Sequence, residues 1–368
     1  MTATKRLLML LLTLALLVST TACGGTPAAS GANDPLTVGF IYVGPIGDGG
    51  YTYAHDQGRQ YMERELGDKI KTIYRESVPE SQDVEKAMKD MIAQGAKAIF
   101  ATSFGYMDYV DKVAKEYPDV KFFHCSGYMS NETNFVNYFG RIEQTRYLSG
   151  IVAGLKTETN HIGYVGAFSI PEVVRGINAF TLGAQSVNPD VTVSVRWTHT
   201  WYDPAKEKEA AMALLDEGCD IIAQHQDTTS PQVAAEEKGA FAIGYNTDSA
   251  SAAPKAYLTA PIWNWGPYYA AQVKAILDGS WKAENYWGGM DDGVVGLAPL
   301  TSLAPTDAQA KIDELSPKIK DGSFNVFQGP IYDQEGNEKI PAGSAVDDAG
   351  QLSMDWFVKG VNGVIEKD

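Results

Sequence analysis

Phe40-Ile41-Tyr42-Val43-Gly44-Pro45-Ile46-Gly47-Asp48-Gly49-Gly50-Tyr51-Thr52-Tyr53-Ala54-His55-Asp56-Gln57-Gly58 decides the fold. An apolar, β-rich run stops at a glycine-rich turn and a helix-like segment follows, the order of a first βα unit in an open parallel sheet. In such sheets the carboxyl end of the strand opens onto a crevice, and glycines let the backbone come close to whatever lies there. Tyr51 and Tyr53 stand directly after the turn, which points to a flat ligand. Asp48 has two available roles, capping the following helix or accepting a ligand hydrogen bond. The turn lacks the lysine and the spacing of a phosphate-cradling loop.

Outward from this unit, strand-like and helix-like patterns alternate. Strands are expected over 36–43, 70–75, 96–101, 120–125, 161–166, 191–197, 220–224, 240–244 and 257–262. Amphipathic helices are expected over 54–66, 81–94, 106–117, 144–157, 172–187, 204–218, 231–238 and 266–277. The alternation implies parallel sheets. A single core stops growing at roughly 250–300 residues, and the chain has 368. The reading is therefore α/β, with two doubly wound parallel-sheet lobes and a cleft between them. Lobe 1 is expected over 36–138 plus 258–285, and lobe 2 over 139–257 plus 286–305. The linking segments make a hinge crossed several times. Residues 306–368 read as an appendage with a helix near 306–320, a hairpin over 324–339 and a last helix over 351–366.

The first residues are a separate object. Lys5-Arg6 precede an apolar run from Leu7 to Val18, and Ser19-Thr20-Thr21-Ala22-Cys23 close it. A charged start, a core too short to span a bilayer and small residues before a cysteine read as a signal peptide over 1–22. The end is similar to a bacterial lipobox, with Thr20 where leucine is usual, so Cys23 is the expected lipidation site and 23–35 a flexible tether. Losing Lys5 and Arg6 takes the formal charge from −16 (30 − 46) to −18 (28 − 46). So acidic a chain does not suit a nucleic-acid surface. Cys125 and Cys219, each in an apolar run, read as buried and unpaired.

Catalytic and metal signatures are missing from the sequence. His55, His124, His161, His199 and His225 show no metal-ligand spacing, and no nucleophile elbow or dinucleotide fingerprint occurs. The chain reads as a binding protein without cofactor or metal, not an enzyme. Aromatics, carboxylates and amides gather instead just past strand ends: Phe104 and Tyr106, Trp201-Tyr202-Asp203, Gln224-His225-Gln226-Asp227, Tyr245-Asn246-Thr247-Asp248 and Trp263-Asn264-Trp265. Ring faces stack on flat ligands, and neighbouring polar groups orient them.

At these residues the sequence resembles the basic membrane protein family, substrate-binding lipoproteins of ABC transporters related to the Med and PnrA proteins. The resemblance runs from about Leu36 to Pro299. It is carried by Gly44, Asp48 and Tyr51, by Tyr147-Leu148-Ser149-Gly150, Trp201-Tyr202-Asp203-Pro204, Ile243–Asp248 and Leu258-Thr259. It implies a type I periplasmic-binding fold whose lobes close on a ligand, with a purine stacked between Tyr51 and Trp201. Asp48, Thr52, Phe104, Asp227, Asn246, Asp248 and Trp263 complete the expected ligand-binding set. It also implies a monomer outside the cytoplasm, tethered to the membrane by its lipid and serving a permease and an ATPase.

Three departures from the family pattern concern ribose. Asn246 stands where a carboxylate is usual, Trp263 where a ribose-contacting lysine is usual, and Cys125-Ser126-Gly127 where an aspartate ends the fourth strand; Lys255 is the nearest substitute lysine. A ribose site without these partners would leave polar groups unpaired. The expectation is a free nucleobase such as adenine in preference to a nucleoside. A nucleoside, another flat or sugar-like solute, or a sensor uncoupled from transport are the alternatives.

Overall fold

The computed structural model describes residues 34–366. The expected signal peptide, Cys23 and most of the tether lie outside the described residues.

The chain begins with β1 (Leu36–Tyr42), β2 (Ile70–Arg75), β3 (Ala96–Thr102), β4 (Lys121–Cys125) and β5 (Phe135–Gly140). These pair in parallel in the order β2-β1-β3-β4-β5. Period-two alternation explains the packing. Val38, Phe40 and Tyr42 share a core with Ala54 and Met62 of the helix Tyr51–Leu66. Ile41 faces the other way, onto Val84, Met88 and Val110 of the helices Asp83–Ala93 and Met107–Glu116. Both faces are covered, as a parallel sheet requires.

The second lobe repeats the plan. β6 (His161–Gly166), β7 (Thr192–Trp197), β8 (Ile221–His225), β9 (Phe241–Ile243) and β10 (Tyr257–Thr259) pair in parallel in the order β10-β9-β8-β6-β7. Next come β11 (Pro261–Trp263), β12 (Tyr286–Gly288) and β13 (Val295–Leu297). β12 extends the first sheet beside β5, while β11 and β13 form an antiparallel ribbon. The helix Gly266–Asp278 packs on Tyr51–Leu66 of the first lobe. The chain thus crosses between lobes after β5, after β10 and after β12. The C-terminal segment forms a helix (Ala308–Lys320), a short hairpin of β14 (Ile331–Tyr332) and β15 (Glu338–Ile340), and β16 (Val361–Asn362).

Several expectations need correction. The run 257–262 is two strands, because Pro261 has no N–H to continue a parallel ladder. Its first half, placed in lobe 1 from the sequence, belongs to the second sheet. Residues 286–288, placed in lobe 2, belong to the first. Residues 306–368 do not stand apart: β16 pairs with β7 and gives the second sheet its sixth strand. The last helix is confined to Asp348–Leu352, since Gly360 at φ 94° redirects the chain and Phe357, Val358 and Val361 are buried on the second lobe. β5 follows β4 without a helix. Asn131 Oδ1 accepts the N–H groups of Thr133, Asn134 and Phe135, and Asn134 donates to the carbonyls of Ala114, Tyr117 and Val120, so side chains close the connection.

One helix pair gives the second lobe its rigidity. Ile142–Lys156 lies against Pro171–Gln185 with backbones in contact. A methyl group on Gly150 would overlap the carbonyl oxygen of Phe180, and one on Gly183 that of Tyr147. Gly150 closes the Tyr147-Leu148-Ser149-Gly150 motif because the facing backbone leaves no room for a side chain.

Candidate functional site

Both sheets reverse strand order beside their first strand, β1 next to β3 and β6 next to β8, and crevices form at the carboxyl ends of such strands. A cavity of about 290 Å³ lies there, between the lobes. Val43 and Tyr51 reach it from beyond β1, Ser103 and Phe104 from β3, and Ser126 from β4. The second lobe supplies Glu172, Trp201, His225, Asp227 and Tyr245.

Aromatic rings enter from both sides. Tyr51 is buried, edge-on to His55 at 4.5 Å, with its hydroxyl 3.5 Å from Cys125 Sγ. Trp201 rests against Phe168 at 5.0 Å and donates its indole N–H to Glu80 of the first lobe at 3.2 Å. A second bond crosses the cleft, from the Thr247 hydroxyl to the Gly49 carbonyl at 2.7 Å. Gly50 is pressed so closely on the Asp227 carbonyl that a methyl group would overlap it. The glycines of the opening turn therefore serve contact between lobes.

Polar groups on the wall are acceptor-rich. Asp227 Oδ2 is buried without a partner, and burial, then the charges of Asp48, Glu207, Glu80 and Glu172, hold its carboxyl well above the usual range. Burial favours its protonated form, which can donate to a ring nitrogen or carbonyl oxygen. Burial also opposes charge on Glu172, but the His225 ring, the Ser126 hydroxyl and Arg175 hold it below the usual carboxylate range. Burial drives His225 down to about 4, so a neutral imidazole lies 3.4 Å from an ionised carboxylate. Beneath them the Arg146 guanidinium sits 3.7 Å over the Tyr245 ring. A carboxyl shifted toward its protonated form and another shifted toward its ionised form can offer a ligand both a donor and an acceptor.

The structure brings four of the expected ligand-binding residues to the cavity, namely Tyr51, Phe104, Trp201 and Asp227. The others stand away from its wall. Asp48 spends its carboxylate on the N–H groups of Gly50, Thr52 and Tyr53 at 2.8, 2.8 and 3.0 Å, so of its two roles the cap is the one observed. Burial nevertheless pushes it up to about 6. Thr52 Oγ1 accepts the Gly44 N–H at 3.2 Å. The Asn246 amide is consumed by the Gln226 carbonyl and the Trp263 indole N–H. Trp263 stacks on Trp265 at 4.7 Å in the hinge, and Asp248 is exposed. Lys255 is exposed too, and the cavity wall carries neither lysine nor arginine.

Sequence reasoning missed Glu172, Ser126 and Ser103, and noted His225 and Tyr245 without assigning them to the ligand. Glu172 stands in the first turn of the helix Pro171–Gln185 that follows β6, beyond the strand-end positions where the ligand residues were sought. Among the described residues no group of three or more histidine, cysteine or acidic side chains could hold a metal ion, and no helix is long and apolar enough to cross a membrane.

Comparison with known proteins agrees with this architecture. A purine-binding protein of Brucella abortus is 46% identical over 334 residues, 91% of this chain and 95% of its own. A Haloferax volcanii protein named for ABC transporter glucose binding is 39% identical over 94% of this chain and 84% of its own. An ABC transporter solute-binding protein from Aeropyrum pernix shares the fold, with a TM-score of 0.71 at 20% identity, covering 80% of this chain and 94% of its own. One from Conexibacter woesei gives 0.64 at 22% identity, covering 79% and 98%. Residues 36–326 match the family described as ABC transporter substrate-binding protein, PnrA-like, and the chain belongs to that family.

Proposed function

We propose that this solute-binding protein captures a free purine base, such as adenine, for an ABC importer. The wall of the cavity carries the reading: rings from both lobes, one carboxyl shifted toward protonation and one toward ionisation, and no lysine or arginine. The purine-binding relative at 46% identity supports the class. Capture makes no covalent bond; ligand supplies the free-energy difference between open and closed lobes, and a permease and ATPase read the closed surface. In this reading the chain works as a monomer outside the cytoplasm, held to the membrane through lipid on Cys23.

The test is calorimetry of purified protein with adenine, guanine and hypoxanthine, their nucleosides, and glucose. Binding of at least one free base, tighter than its nucleoside, is expected. Tight nucleoside binding with silence toward bases would overturn the ribose-free reading, and a response to glucose alone would overturn the purine.

A further inference from the structure

A second chamber adjoins the cavity. The two share Phe104, Ser126 and Glu172 on their walls, so they are direct neighbours. The outer one holds about 1,340 Å³, part of it open solvent, and Phe139, Tyr286 and Trp287 form much of its wall. At its rim stand Tyr128, 71% exposed, and Leu352, 44% exposed. Ser126 and Gly127 both take left-handed backbone, at φ 66° and 68°, immediately before Tyr128. A non-glycine residue in that region is a local cost that tends to persist at ligand sites. Large apolar side chains left uncovered beside a cleft commonly await an occupant.

Most polar groups on this wall are already engaged. The Asn137 amide donates to the carbonyls of His124 and Ser126. Asn285 accepts the Asn137 N–H at 3.0 Å and donates to the Ser130 hydroxyl at 3.0 Å. Arg175 donates to the Gln351 carbonyl at 3.0 Å and pairs with Glu143. An occupant therefore meets mainly ring and alkyl surface, with the Trp287 indole N–H left as a free donor.

Building on the purine reading above, we infer that the ligand is a purine base carrying an apolar arm, the base in the inner cavity and the arm in the outer chamber between Tyr128 and Leu352. The probes are adenine, N6-benzyladenine, 9-benzyladenine and adenosine, titrated against the purified protein and a Tyr128→Ala, Leu352→Ala double variant. At least one benzyl purine binds about tenfold tighter than adenine, as burial of a phenyl ring allows. The double variant loses that gain while its adenine affinity stays unchanged, which also shows that it folds. Three results would overturn the inference: adenine binding with no gain for either benzyl purine, a gain that survives the double variant, or adenosine binding tighter than both. Silence toward adenine and both benzyl purines would remove the purine reading as well.

Discussion

Trp201 has two tasks that substitution can separate. Its ring faces the cavity and its N–H reaches across to Glu80. Stacking of a base on an aromatic ring is worth about 1–3 kcal/mol by alanine substitution. Trp201→Ala is therefore expected to weaken base binding about tenfold to a hundredfold by calorimetry. Trp201→Phe keeps a ring and loses the crossing bond, so its loss should be smaller and appear mainly as faster ligand release in stopped-flow traces. An alanine variant with unchanged affinity would remove Trp201 from the site. Asp48→Ala should behave differently, costing about 1–2 kcal/mol of stability as a lost cap, with a smaller affinity loss than Trp201→Ala. At this scale the sequence was legible where side-chain type and strand-end position coincided, as at Phe104 and Trp201. It was not legible where a polar side chain finds a partner inside the protein. Asn246 and Trp263 have the right chemistry for a ligand, yet they satisfy each other, and no spacing rule reveals such a bond.

At the scale of elements, alternation of patterns located β1 to β4 and β6 to β9, because a strand buried on both faces and an amphipathic helix have different periods, but it missed β5 and β12 of the first sheet. Sheet membership was less legible. The run 257–262 has the composition of one strand, but the hinge needs a corner there and Pro261 makes it. β16 is two residues long and gains its place from β7, a neighbour about 170 positions earlier, which no local pattern encodes. Helix packing in the second lobe gives the prediction for this scale. Gly150→Ala must displace the Phe180 backbone and should cost about 1–3 kcal/mol as an overpacked contact. Gly47 has open space around its missing side chain, so Gly47→Ala should stay within about 1 kcal/mol of the parent protein. Urea midpoints of the two variants check this, and equal midpoints would show that the helices separate without cost.

The two lobes enclose an unusual set of titrating groups, and together they set how stability depends on pH. His55, His124 and His225 are buried, and burial lowers them to about 3, 4 and 4. Between those values and about 6.5 the unfolded chain binds more protons at these sites, so their contribution to stability rises with pH across that window. Buried acids oppose them. Burial raises Asp48 to about 6 and Glu207 to about 7, and raises Asp227 as well. These groups hold protons when folded that they release when unfolded, so their contribution is full below about 4 and is lost as pH rises through the folded value. Between about pH 4.5 and 6 the two sets roughly offset, and stability should be nearly flat. Above about 7.5 the histidines are nearly neutral in both states, while the raised folded values of Glu207 and Asp227 keep these acids more protonated folded than unfolded. Stability must then fall, at up to about 1.4 kcal/mol per pH unit for each fully protonated acid. The ligand-free protein is expected to lose stability as pH rises through the folded values of Glu207, about 7, and of the raised Asp227. Urea midpoints measured from pH 4.5 to 8.5 read this directly, and Asp227→Asn should reduce the slope. A midpoint that climbs from pH 6.5 to 8 would mean that Asp227 is ionised in the folded protein, and the wall facing the base would then carry two negative charges instead of one donor and one acceptor.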